Sequence, residues 1–147
     1  MTMKVFLLLA DAAQAVAGKL YILGGGWSTI MAGAPFAVAV KVYVPWNEGT
    51  QQHKLKLELV DSDGNPFEAP VSETQKEPLV IEQDFCTGIP PNVKAGTPLD
   101  YVYTFTAVGL PLEPNMRYEW RLSVDGESDP DWTLAFNTAP TPLAQAA

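Results

Sequence analysis

One cysteine and one histidine occur in 147 residues, and each shortage closes off chemistry. Cys86 alone cannot form an intramolecular disulfide, which fits a reducing compartment. Cys86 and His53 together fall short of the four Cys and His ligands common in structural zinc sites. No apolar run approaches the ~20 residues of a membrane-spanning helix. Basic residues are scarce too: nine Lys and Arg stand against seventeen Asp and Glu, for a net charge of −8. Such a surface repels polyphosphate backbones and anionic bilayers. Neither nucleic acid nor membrane is therefore expected as a partner, and high solubility is.

The length suits one domain, with enough apolar content for a core that needs neither disulfide nor metal. Lys4 and Ala15-Val16-Ala17 resemble the ends of a secretory signal. However, Val5 to Ala10 spans only six apolar residues before Asp11, where a signal core takes about 7–15. The stretch reads instead as a first strand, Lys4 to Leu9, and the expected location is the cytoplasm or a particle assembled there. Asp11 is placed to cap a short helical turn over Ala12 to Ala17, ended by Gly18.

Period-two alternation dominates the remainder. Leu20 to Leu23 reads as a strand that stops at Gly24-Gly25-Gly26. Phe36, Val38, Val40, Val42 and Val44 share one face, and Pro45 ends that run. Leu55, Leu57 and Leu59 oppose Lys54, Lys56 and Glu58. Asp61 to Pro66 is a turn, with Asp63-Gly64 supplying the backbone a tight hairpin demands, and Phe67 to Val71 is predicted to pair back. Strands follow over Leu79 to Phe85 and Leu99 to Val108. Another spans Arg117 to Val124, with Tyr118, Trp120, Leu122 and Val124 inward. Asp125-Gly126 opens a turn into a last strand around Trp132 to Phe136. The predicted architecture is all-β: a two-sheet antiparallel sandwich of about eight or nine strands over residues 1–137, with residues 138–147 as a C-terminal arm.

Two stretches carry resemblances. Leu112-Glu113-Pro114-Asn115-Met116-Arg117-Tyr118 resembles the tyrosine corner of immunoglobulin-like sandwiches, fibronectin type III domains above all. That likeness implies that the Tyr118 hydroxyl donates a structural hydrogen bond back to the upstream corner. Leu9 to Gln14, then Gly18-Lys19-Leu20-Tyr21 and Gly24 to Ser28, together resemble an uncharacterised family of small bacterial proteins of unknown function. That likeness implies no active site.

Candidate chemistry is thin. His53 lies among Gln51, Gln52 and Lys54 with no nucleophile elbow or other local signature, and it reads as a surface or edge residue. Cys86 beside Phe85 reads as a buried, inert thiol. Asp61, Asp63 and Asn65 open like a calcium loop, but Pro66 and Ser72 occupy the positions that need Gly and Glu. The acidic run Asp125 to Asp131 offers four carboxylates; it reads as a solvated loop, with a weak calcium site as the alternative. Trp27 stands where a phosphate-binding loop would need its lysine, so the glycines before it are assigned to a bulge or a close backbone approach.

No catalytic residue, cofactor or metal is expected. Trp27 and Trp46 are candidate interface residues, with plugging of the open ends of the fold as the competing role. The expected function is a non-enzymatic interaction or structural module with a protein partner, self or other, such as an accessory subunit of a phage or virus particle. The alternatives are a small-ligand or carbohydrate-binding domain using Trp27 and Trp46, and a hydrolase with a site near His53.

Overall fold

In the computed structural model, which describes residues 3–140, the chain is all-β. The strands are β1 (Lys4–Val16), β2 (Lys19–Gly25), β3 (Thr29–Ile30), β4 (Phe36–Val44), β5 (His53–Asp61), β6 (Glu68–Pro70), β7 (Lys76–Pro78), β8 (Val80–Phe85), β9 (Leu99–Ala107), β10 (Arg117–Val124) and β11 (Glu127–Thr138). Eleven strands therefore replace the expected eight or nine. The surplus is β3 and β7, which at two and three residues are too short to show a period, while β6 falls within the expected Phe67 to Val71 strand but pairs with β7.

One sheet has the order β2-β1-β4-β9 and a second β3-β11-β10-β5-β8, while β6 and β7 form a separate pair. All pairings between named strands are antiparallel except β3 with β11. Their apolar faces meet in a single core. Phe36, Val38, Val40, Val42 and Val44 of β4 join Leu55, Leu57 and Leu59 of β5 and the inward residues of β10. Trp120, fully buried, is met edge-on by Phe36 and Phe105 of the other sheet, at 6.3 and 5.8 Å between ring centroids. Burying side chains of this size is the main stabilising term, at about 1.5–3 kcal/mol each. β4 is buried on its second face as well, where Ala37 and Ala39 pack with Ala13.

The expected helical turn over Ala12 to Ala17 is not formed. β1 runs on to Val16, because Ala12 to Val16 find hydrogen-bonded partners in Lys19 to Leu23. Asp11 consequently caps nothing; its carboxylate accepts the Trp27 indole N–H at 3.0 Å. Gly24 makes room for that carboxylate, since a Cβ at this position would overlap it, and the backbone there has φ +64°. This is the close approach expected of the glycine run. The β1–β2 turn places Ala17 at φ 51° and Gly18 at φ 75°, as a type I′ hairpin demands.

The corner before β10 forms, with one change of polarity. Tyr118 is buried, and its hydroxyl accepts the Glu113 N–H at 3.0 Å rather than donating. Thr138 completes the corner: its hydroxyl donates to the Glu113 carbonyl and accepts the Met116 N–H. The expected arm thus begins too early. Thr138 is the buried last residue of β11, and the Ala139 N–H bonds to the Ile30 carbonyl. Residues 141–147 of that arm lie outside the described residues.

Two stability predictions follow from these turns. Ala17→Asn should raise the unfolding free energy by about 0.5–1 kcal/mol, because Asn tolerates the left-handed backbone that costs alanine. An unchanged or lower urea midpoint would show that Ala17 bears no strain. Tyr118→Phe should lower it by about 0.5–1.5 kcal/mol, because it leaves the Glu113 amide without its acceptor; equal midpoints would remove the corner bond from the list of stabilising contacts.

Candidate functional site

His53 opens β5 opposite Phe85 of β8, and it is 2 % exposed. This corrects its reading as a surface or edge residue. Position 53 shares parity with Leu55, Leu57 and Leu59, so the pleat that buries the leucines turns the imidazole inward too. The ring packs on Phe85 at 5.3 Å, which in turn stacks on Tyr101 at 4.0 Å. Nδ1 lies 2.6 Å from a carboxylate oxygen of Asp125, and Nε2 lies 3.0 Å from the Glu48 carbonyl. A backbone carbonyl and an ionised carboxylate can only accept, so both contacts are satisfied together by the imidazolium. Burial alone would lower the His53 pKa; the hydrogen bond it donates to the Asp125 carboxylate, followed by the one it donates to the Glu48 carbonyl, outweighs this and holds the pKa above 6.5.

Asp125 reaches this position because it is the first central residue of the β10–β11 turn, at φ 54°, ahead of Gly126 at φ 81°. Its second carboxylate oxygen accepts the Lys54 N–H at 2.8 Å, and its own N–H donates to the Lys54 carbonyl at 2.9 Å. One turn residue therefore ties together β5, the 3₁₀ turn Trp46–Glu48 and the β10–β11 hairpin. Asp125 was grouped by sequence with a solvated acidic loop; its partners lie 71 and 72 positions away, so no local pattern marks it.

A general base needs a free lone pair within reach of the proton it removes, and both nitrogens of His53 are occupied. No hydroxyl is bonded to the ring among the described residues. Cys86, read as buried, is exposed: Phe85 points inward, so alternation turns the next side chain out, where its thiol donates to the Gly49 carbonyl at 3.4 Å. A cleft of about 340 Å³ beside the clamp is lined by Asp125, Glu127, Ser128, Asp129 and Trp132, with Met3 and Val124. It is acidic, and among the described residues no three His, Cys, Asp or Glu side chains are grouped to hold a metal ion. Asp61, Asp63 and Asn65 form a turn in which the Asp61 carboxylate accepts the N–H groups of the other two.

Trp27 and Trp46 do not share a site. Trp27 packs edge-on against Phe36, the first residue of β4, at 5.9 Å, whereas Trp46 follows its last residue, Val44, by two. Nine residues of strand separate the ends, roughly 30 Å at ~3.3 Å per residue. Both rings pack against the core, and the Trp46 indole N–H is buried with no hydrogen-bond partner among the described residues. Each ring packs against the core at its own end of β4.

The surface that sequence reasoning missed is the β1–β2 ribbon. β1 pairs with β4 only as far as Ala10, so Ala12–Val16 and Lys19–Leu23 pair with each other beyond it. β2 is an edge strand. Tyr21 is 55 % and Leu23 72 % exposed, with Ile22 exposed beside them. A run of apolar letters reads as a buried strand, and only the sheet order reveals that nothing among the described residues covers this one.

Fold and geometry define an all-β protein with two principal sheets around one core, a clamp between buried His53 and exposed Asp125, and an apolar edge strand that is uncovered among the described residues. A family model described as a family of unknown function, DUF6941, matches residues 5–137. The chain belongs to that family, in agreement with the resemblance to an uncharacterised family drawn from its glycine-rich N-terminal third. No curated protein and no solved structure matches it.

The clamp predicts a pH dependence. A folded pKa above 6.5 makes the His53 contribution complete below that value and lost as pH rises through the folded pKa. His53 is the chain's one histidine, so the fall in urea midpoint from about pH 6 to 8 is assigned to it. Asp125→Asn should cost about 1–3 kcal/mol at the acidic end and flatten that slope. A wild-type midpoint that is level or rising over the interval would dismiss the imidazolium.

Proposed function

We propose that the chain is a non-enzymatic interaction or structural module, built as an immunoglobulin-like two-sheet sandwich and used as an accessory subunit of a larger assembly such as a phage or virus particle. The observation that carries this reading is the uncovered apolar edge on β2, which offers strand backbone and exposed Tyr21, Ile22 and Leu23 to another chain. Sheet edges of this kind recruit protein strands. The common core of the two main sheets, and the Tyr118 corner ahead of β10, support the immunoglobulin-like assignment.

The partner is a protein, either self or other. A net charge of −8 disfavours nucleic acid and anionic bilayers, and no helix among the described residues is long and apolar enough to cross a membrane. The proposed location is the cytoplasm or a particle assembled there. Carbohydrate or small-ligand binding by Trp27 and Trp46 together is disfavoured by their placement at opposite ends of β4, and hydrolysis at His53 by the occupation of both its nitrogens.

A substrate screen tests the proposal. Wild type and His53→Gln are assayed against ester, phosphate and glycoside substrates, and wild type against a carbohydrate panel by tryptophan fluorescence. The expected outcome is no turnover and no fluorescence shift. Turnover by wild type that His53→Gln abolishes would overturn the non-enzymatic reading, and saturable quenching by one sugar would replace it with the ligand-binding one.

A further inference from the structure

We infer that the partner of β2 is β2 of a second copy, joined antiparallel about a two-fold axis centred on Tyr21, so that the β2-β1-β4-β9 sheets of two chains fuse into one sheet of eight strands. The inference rests on the module reading above and names its partner.

Sheet order leaves β2 with one neighbour among the described residues, so every second residue of the strand presents an N–H and a C=O to none of them. Proteins usually blunt such edges with charge, proline or bulges. From Leu20 to Leu23 there is neither charge nor proline, and the first positive φ comes at Gly24. Lys19 to Leu23 is thus a five-residue pairing segment ahead of that irregularity. The other long edges differ. β8 carries Glu82 and Asp84. β9 carries Asp100, and its Tyr101, Tyr103 and Phe105 are packed on the core.

Charge selects a second copy. Asp11 is the only acid before Glu48, so sixteen of the seventeen acids lie from Glu48 onward. Two chains of net charge −8 oppose each other over most approaches. The ribbon, which bears Lys19 and an Asp11 already bonded to Trp27, is where they meet without that opposition. The segment is also self-complementary. Centring on Tyr21 sets Tyr21 against its own copy, Leu23 against the aliphatic stem of Lys19 in the copy, and Leu20 against Ile22, with no like charges directly opposite. Aromatic and aliphatic cross-strand pairs of this kind stabilise a sheet.

The test uses the full chain and the charge of one exposed side chain. Sedimentation of wild type from micromolar to near-millimolar concentration should reach twice the 15.9 kDa chain mass. Tyr21→Lys and Tyr21→Glu, each placing like charges face to face at the axis, should each weaken self-association by about tenfold or more. An equimolar mixture of the two should recover it. Because Tyr21 is 55 % exposed, both variants should keep the wild-type circular dichroism. In a Cys86→Ser background, Tyr21→Cys should form an intermolecular disulfide, since facing Cα atoms of a non-hydrogen-bonded pair, about 4.5 Å apart, suit one; Val108→Cys, still more exposed but away from β2, should not. A wild type that stays at chain mass, variants that associate as wild type does, a mixture that stays monomeric, or equal cross-linking at both cysteines would each overturn self-pairing. The module reading is decided separately, since only turnover or ligand binding in the screen above overturns it.

Discussion

Neither principal sheet can keep its apolar face in water, and covering those faces with one another is the constraint on which the remainder depends. The valines of β4 and the leucines of β5, together with Trp120, are fully buried, so the two sheets hold their positions through that shared layer. Once they do, the ends of the core must still be closed, and at Trp46 this leaves a buried indole N–H without a partner among the described residues. Trp27 closes one end of β4 and Trp46 the other. Loops and caps are consequences of the core rather than its cause.

Asp125 shows how few residues can do this closing. A single carboxylate at a turn position that already requires left-handed backbone takes the proton-bearing face of a buried imidazole and a backbone amide of the neighbouring strand. The same turn without its carboxylate would still reverse the chain, but it would leave the His53 nitrogen facing it without a partner in a low-dielectric site. The geometry resembles part of a catalytic triad, and what separates it is the Glu48 carbonyl: the second nitrogen is spent on the backbone.

Much of this was legible from the sequence where pattern and burial coincide. β4, β5 and β10 declare themselves by alternation, and Tyr118 by its spacing from Leu112 and Pro114. His53 is legible by counting back from Leu55, but its polar neighbours Gln51, Gln52 and Lys54 mask the parity that buries it. Asp-Ala-Ala-Gln-Ala after Leu9 favours helix by propensity, and pairing with β2 overrides that preference. The Asp125 partnership and the exposed edge were not legible, because both are set by which strands become neighbours across long separations. The indole positions likewise follow from where the loops fold, which composition does not encode.

β11 follows every other strand in the chain, yet it lies inside its sheet, between β3 and β10. The sheet therefore cannot be assembled in the order in which it is made. Until Thr138 has left the ribosome, β10 has an unpaired side, β3 has no partner and the corner at Glu113 lacks its hydroxyl. Strand pairings of such long sequence separation place folding in the slow, millisecond-to-second regime of all-β domains. During that interval β2 is already synthesised and already uncovered, so the nascent chain presents its stickiest strand while its central sheet is still open. An edge suited to joining folded copies is, for that period, also a point at which unfinished ones can meet.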